Sequence, residues 1–205
     1  ANIPLMKNVS ATIFISISVF AEKDTAVLEK ITAKSSSYTS IESDFVQVNS
    51  SVYIAKEVKS TGKFYYQAED KVLLKNDEKN FLLLNNNDFV ISTQGEKFKV
   101  GKKSNPMVAE LGLLLKSCVT GDYNTILSRR NTALRLDVTA HVYLLNITKG
   151  GSAKRYYSQV ILTYDKLDLS LVNLKLLEPN GSYTLYTFSN HKYNTQIDSS
   201  VFYVD

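Results

Sequence analysis

Between Leu174 and Asn190 the chain reads LKLLEPNGSYTLYTFSN. Apolar and polar side chains alternate on both sides of Glu178-Pro179-Asn180-Gly181, where proline presets φ and glycine accepts a positive φ. Alternation of period two, interrupted by such a turn, predicts a β-hairpin. Both faces of this hairpin carry apolar side chains. Val172, Leu174 and Leu176 share one side of the first arm, and Leu171 and Leu177 the other. On the return arm Thr184, Tyr186 and Phe188 oppose Tyr183 and Leu185. A sheet with one wet face needs a single apolar side. One face is therefore expected to line an interior and the other to lie partly under neighbouring segments.

The same alternation recurs along most of the chain. Strands are predicted over 41–58, 61–68, 70–76, 79–85 and 88–94, separated by Ser60-Thr61-Gly62, Asn76-Asp77-Glu78, Asn85-Asn86-Asn87 and Gln94-Gly95. Successive strands with short turns make an antiparallel meander, because parallel pairing needs long crossovers. Strands resume over 134–148, 154–165, 169–178, 182–190 and 200–204. Leu136, Val138, Ala140, Val142 and Leu144 line up on one side of the first of these, and Tyr156, Val160, Leu162 and Tyr164 on one side of the next. Phe64 and Tyr66 oppose Lys63 and Gln67. About ten long strands exceed what an open twisted sheet carries comfortably. The sheet should curl into a full or partial barrel with these sets on its concave face.

Two stretches follow the helical period instead. Asp24 or Thr25 can cap a helix over 26–33 with Val27, Leu28 and Ile31 on its apolar side. Further on, Pro106 suits a first helical position and Gly121 a helix end. Between them Met107, Leu111, Leu114, Leu115 and Cys118 form one continuous helical stripe. A second helical piece is predicted over 123–129. These helices are the natural cover for the concave face.

Composition supports a β-rich domain. Among 205 residues there are 13 tyrosines and 9 phenylalanines but only 3 prolines, and Tyr, Thr, Val and Ile favour strands. Nothing divides the chain, so residues 22–205 are read as a single domain. The net charge of +4, with acids and bases mixed, does not point to nucleic acid. Lys97, Lys99, Lys102 and Lys103 read as a solvated turn at a strand end. With Cys118 the single cysteine, no intramolecular disulfide forms and the fold stands on packing.

The N-terminal MKNVSATIFISISVFAEKD has a charged start, an uncharged run from Val9 to Phe20 and a small-residue site at Ala21. That is the pattern of a signal peptide over residues 1–21, cleaved to begin the mature chain at Glu22. Its apolar run is short of the ~20 residues that span a bilayer. The other reading is a buried strand, since Ile13, Ile15 and Ile17 alternate with Thr12, Phe14 and Ser16.

Chemistry-bearing motifs are scarce. His141 and His191 lie in separate strands and Cys118 in a helix, so no metal-ligand spacing exists. No phosphate loop, dinucleotide fingerprint or nucleophile elbow is present. No catalytic residue, metal or cofactor is therefore assigned. Catalysis would require His141 or His191 to sit within hydrogen-bond reach of a serine, cysteine or carboxylate inside the cavity.

Several stretches together resemble the LolA-like periplasmic lipoprotein carriers, nearest to versions from bacteria of the Bacteroidetes type. LEKITAKSSSYTSIESDFVQV resembles the first helix leading into a long strand, and GKFYY with VLLKNDEKNFLLLN the next three strands. PMVAELGLLLKSCVTGDY resembles the central helical insert, and LLEPNGSYTLYTFSNHKYNTQIDSSVF the closing hairpin. The resemblance covers about residues 24–204. It implies a mainly β (α+β) fold: a single curled antiparallel sheet forming an unclosed barrel of about eleven strands. An N-terminal helix and a central helical lid would cover it. It also implies a soluble, monomeric periplasmic carrier that takes acyl chains of lipoproteins or other lipids into an apolar cavity. Such a carrier receives cargo from an inner-membrane release complex and passes it to an outer-membrane acceptor. The receptors of this fold carry a lipidated N-terminal cysteine, and no cysteine lies near this N-terminus. Many of the carriers have Arg-Pro after the GKFYY-like strand, and that arginine ties the lid to the sheet. Here Ala68 and Glu69 stand there, and Leu74 stands where a tryptophan is expected, so the lid is expected to be held by packing alone.

The expected cavity lining is Phe64, Tyr66, Val72, Leu74, Met107, Leu111, Leu114, Leu115, Val138, Val142, Val160, Leu162, Leu174 and Leu176. Two other outcomes stay open at this point: a dry, fully packed barrel with no ligand, and a binding or sensing module of the same fold that meets a partner protein.

Overall fold

The computed structural model describes residues 22–68, 70–86, 88–100, 114–128, 131–150 and 157–203. A helix, α1 (Glu22–Ser36), leads into six strands: β1 (Ser40–Ser51), β2 (Ile54–Gln67), β3 (Lys71–Lys75), β4 (Phe81–Asn85), β5 (Asp88–Thr93) and β6 (Glu96–Val100). Helical residues 114–120 (α2) and the short α3 (Tyr123–Leu127) follow. Then come β7 (Thr132–Val138), β8 (Val142–Lys149), β9 (Gln159–Asp165), β10 (Leu171–Leu177) and β11 (Tyr183–Tyr193), and a 3₁₀ turn at Ser199–Phe202. All eleven strands form one antiparallel sheet in the order β6-β5-β4-β3-β2-β1-β11-β10-β9-β8-β7. It is two meanders sewn together by the β1–β11 pair. The sheet is curled and not closed, since β6 and β7 are its two ends.

Burial follows the two faces. The main core contains Ile41, Phe45, Phe64, Tyr66, Val72, Leu74, Leu162, Leu174 and Phe188 from the concave side, with Ile31 of α1 and Leu114, Leu115, Cys118 and Val119 of α2 packed upon them. On the convex side Leu73, Phe81 and Leu83 form a second cluster with Phe202, which is 1% exposed. Ile197 and Val201 join it. The C-terminal segment is thus the cover for the second apolar face. Ser40 Oγ donates to the Thr195 carbonyl at 2.5 Å and anchors that segment where it leaves the sheet.

Several boundaries differ from the sequence expectations, each for a local reason. Residues 41–58 are not one strand: the chain turns at Val52-Tyr53, residues of high strand propensity with no glycine or proline to mark the turn. Ser60-Thr61-Gly62 lies inside β2 instead of forming a turn. Gly62 is there because a Cβ would stand 2.4 Å from the Phe45 ring and 2.3 Å from the Lys75 carbonyl. Residues 134–148 are likewise two strands. The turn between them is built by Thr139, whose Oγ1 accepts from the Val142 amide at 3.1 Å. Residues 96–100 add an unforeseen edge strand, β6, which carries Lys97 and Lys99. Lysines on a sheet edge oppose edge-to-edge pairing. The strand predicted over 200–204 is not formed: residues 200–202 belong to the 3₁₀ turn and Tyr203 to its exit, and residue 204 lies outside the described residues. The first helix starts at Glu22, earlier than its expected cap.

Candidate ligand cavity

Where the helices cross the concave face they leave a cavity of about 40 Å³. Strand β1 supplies Ile41 and Ser43, β2 Phe64, and β3 Leu74. The other meander supplies Tyr164, Leu171, Leu174, Phe188, His191 and Tyr193. Ser35 and Tyr38 at the end of α1, and Leu115, Cys118 and Val119 of α2, close it from above. At ~10–15 Å³ per water the volume holds about three water molecules, whereas ligand pockets run to ~300–1,000 Å³. Its walls are the helices as much as the sheet.

The helical cover is tied down at three places. Gly121, with φ +69, ends α2 against α1: an added Cβ would meet Thr32 Cα at 2.9 Å, and Thr32 Oγ1 donates to the Gly121 carbonyl at 2.9 Å. The Lys116 ammonium pairs with the Asp70 carboxylate in the β2–β3 turn. Beneath them the Tyr123 and Tyr164 hydroxyls hydrogen-bond each other, and Tyr164 also reaches the Cys118 carbonyl at 3.4 Å. The lid is therefore not held by packing alone. With Ala68 at the position discussed above, the charged tie here joins a cation on α2 to an acid in the β2–β3 turn. Burial pushes the Cys118 thiol up to about 12 and raises the Tyr164 phenol well above its ordinary value.

Of the residues expected to line the cavity, Phe64, Leu74, Leu115 and Leu174 do so. Tyr66, Val72, Leu114, Val160, Leu162 and Leu176 are buried in the same core around it. Met107 and Leu111 lie outside the described residues. Val138 does not belong to the cavity: it is 55% exposed at the β7–β8 turn. Val142, on the far side of that turn, is half-exposed and not part of the core. The turn at 139–141 resets the phase. Leu136 pairs with Leu145 and Leu134 with Ile147, and those four are the buried apolar residues of the two strands. Tyr156 lies outside the described residues.

Three lining residues escaped the sequence reading because β-bulges shift the period of two. In β10 the register slips between Leu171 and Asn173, which puts Leu171 opposite Tyr164 on the inner side. In β11 the register slips opposite Ser43, and His191 and Tyr193 join Phe188 on the inner side. Asn190 carries that slip. Its φ is +53, a conformation asparagine tolerates, and its side chain donates to Asp44 Oδ2 at 2.7 Å. As a result Ser43 Oγ lies 2.7 Å from His191 Nδ1. A histidine within reach of a serine inside the cavity is the geometry that catalysis would require. His191 stacks on Tyr193 with ring centroids 5.6 Å apart, and Tyr193 on Tyr38 at 4.2 Å. Burial lowers the His191 pKa below its ordinary value, and the nearby Asp168 opposes that shift. Asp168 itself is lowered: burial pushes it up, but hydrogen bonds from Ser170 outweigh this. The loop that presents it contains Leu169, whose φ of +62 is strained for a leucine and whose side chain reaches the cavity wall.

No family model matches the chain, and no curated protein matches it. Solved structures do share its fold. The MucA/MucB complex of Pseudomonas aeruginosa aligns at a TM-score of 0.52 with 12% identity, over 89% of this chain and 61% of that one. A DUF1329 family protein from Desulfovibrio piger aligns at 0.47 with 12% identity, over 88% and 96%. A LolA superfamily protein from Nitrosomonas europaea aligns at 0.41 with 10% identity, over 87% and 96%. At such identities the likeness is one of fold.

Proposed function

We propose that this chain is a carrier that takes acyl chains of lipoproteins, or of other lipids, into the cavity beneath α1 and α2 and shuttles them through the periplasm toward the outer membrane. The observation that carries the reading is where the cavity lies. It is bounded by the sheet below and by two helices above, so lifting the helices enlarges it without breaking the sheet. The energetics allow the exchange. Exposing Leu114, Leu115 and Val119 costs about 1.5–3 kcal/mol each, and burying a chain of about twelve carbons returns about 0.8 kcal/mol per methylene. Cargo methylenes thus replace lid side chains at near balance, which suits loading and release. Apolar burial carries little polar specificity, and much of the wall is apolar, with Phe64, Leu74, Leu115, Leu174 and Phe188 among its residues. Titration with laurate and with an apolar dye tests the reading. Saturable binding is expected, and its absence would sink the carrier.

The Ser43–His191 pair serves binding, not catalysis, in this reading. In a catalytic triad the carboxylate bonds the ring nitrogen that the serine leaves free. Here Asp168 Oδ1 instead accepts from the Ser170 amide at 2.8 Å, and it makes no hydrogen bond to the ring among the described residues.

A second reading, a sensing module that meets a protein partner, draws on one observation. Val52, Tyr53 and Ile54 at the β1–β2 tip are 55%, 82% and 59% exposed. Co-purification separates the two readings: lipoproteins favour the carrier, a membrane-bound regulator the sensor. Export is tested by intact mass of protein from a native periplasmic fraction, where a chain beginning near Glu22 is expected.

A further inference from the structure

We propose that the Ser43–His191 pair docks a neutral acyl carbonyl, the ester or amide oxygen at the head of an acyl chain, so that the cavity favours acylated cargo over free fatty acids. This rests on the acyl-binding reading above.

Ser43 is 1% exposed, and its hydroxyl faces His191 Nδ1 at 2.7 Å. A buried hydroxyl donates to an acceptor where it has one. With Nδ1 accepting, the neutral ring carries its proton on Nε2. Burial favours that neutral ring. Nε2 makes no hydrogen bond among the described residues, on a ring that lines the cavity. The buried Tyr164 hydroxyl in the wall is already matched by Tyr123 and Cys118. His191 Nε2 is thus a donor with no protein acceptor among the described residues, on a half-buried ring that lines the cavity, where a ligand can supply one. The stacked Tyr193 and Tyr38 hold its ring in place, so little freedom is lost on binding.

Charge decides which acceptor. Asp168 acts electrostatically on His191, on Tyr193 and on Tyr38, and it is held ionised. A carboxylate head entering here would meet that like charge. Lys34, at the end of α1, is among the groups that keep Asp168 ionised. An ester or amide carbonyl accepts the Nε2 proton without the repulsion.

The test is displacement of a bound apolar dye from the full chain at pH 7.5 by methyl laurate, laurate and dodecane. Wild type is expected to bind methyl laurate more tightly than laurate. His191→Phe keeps the stacked ring but has no donor. It should lose about threefold to tenfold in methyl laurate affinity, the worth of one hydrogen bond, with dodecane displacement unchanged. His191→Gln retains an N–H donor and should keep part of the preference, which separates a lost donor from lost packing. An unchanged ester-to-acid ratio in His191→Phe overturns the proposal, as does release of laurate from the ester by wild type, which would make the pair catalytic. If none of the three compounds displaces the dye from wild type, the carrier reading fails with it. Equal displacement by all three sinks the carbonyl site alone.

Discussion

The concave face has two ends that share strands but not chemistry. Under the helices β1, β2, β3 and β11 present Ile41, Phe64, Leu74 and Phe188. Farther along, the inner positions become Gln47 and Asn49 of β1, Ser60 of β2, Asn76 just past β3 and Thr184 of β11. These form a hydrogen-bonded belt: Asn76 Nδ2 to Ser60 Oγ at 3.0 Å, Gln47 Nε2 to Asn49 Oδ1 at 3.2 Å and Thr184 Oγ1 to Asn49 Oδ1 at 2.9 Å. The belt lines an open groove of about 490 Å³. Between the two ends stand Phe45, Tyr186 and Phe188, with Phe45 edge-on to both at centroid distances of 5.5 and 6.5 Å. A strand's period sets which residues face inward, and residue type alone decides whether that stretch of wall is dry or wet. The helices sit over the dry end because only there do they find an apolar partner.

The sharpest way to break this division is to remove its partition. Phe45→Ala should cost about 3–5 kcal/mol in denaturant unfolding, and it should join cavity to groove and so raise dye uptake. An unchanged midpoint would mean that Phe45 partitions nothing. Next, Leu114→Asp places a charge under the lid. It should destabilise by at least the ~2 kcal/mol of a buried leucine while raising both dye binding and aggregation, because the dry end becomes accessible. A variant that behaves like wild type in both assays shows that α2 is no lid.

A smaller effect comes from pH. The His191 pKa is lowered in the folded chain, so between that value and the ordinary one the unfolded state binds more protons. Its stabilising share is complete above about pH 6.5 and declines as pH falls toward the folded value. The groups around it from each packed element are Ser43, Tyr38, Tyr193 and Asp168, with Asp168 limiting the loss. Thermal midpoints of His191→Phe should therefore fall less than those of wild type between pH 7 and pH 5. Parallel decline would refute the assignment. The smallest change is Lys116→Ala. Its half-exposed pair with Asp70 is worth about 0.2–1 kcal/mol, so stability should scarcely move. The rate of dye entry should rise, and wild type in high salt should resemble the variant.

Much of the architecture was legible because it is written in period two and period 3.6. The hairpin at Pro179-Asn180-Gly181 forms as expected, with Gly181 at φ +93. Of the predicted stripe from Met107 to Cys118, the described residues Leu114, Leu115 and Cys118 are buried. What escaped detection were the places where the period slips. Nothing in LVNL announces the bulge that turns Leu171 inward, and nothing in SNHKY short of Asn190 announces the one that brings His191 to Ser43. Val138 was misplaced for a related reason, since Thr139-Ala140-His141 turns the chain without glycine or proline. The Lys116–Asp70 pair joins residues 46 positions apart, a contact that no local pattern contains.

Cys118 is the chain's single cysteine, it lines the cavity, and its thiol is fully buried with a pKa pushed up to about 12. Thiol reagents attack the thiolate, so the closed protein should be inert toward them. Each moment of lid opening exposes it and restores an ordinary thiol. The molecule thus contains its own clock: the labelling rate of an unmodified chain, set against that of a free thiol, reads the fraction of time the cavity stands open, without any engineered probe.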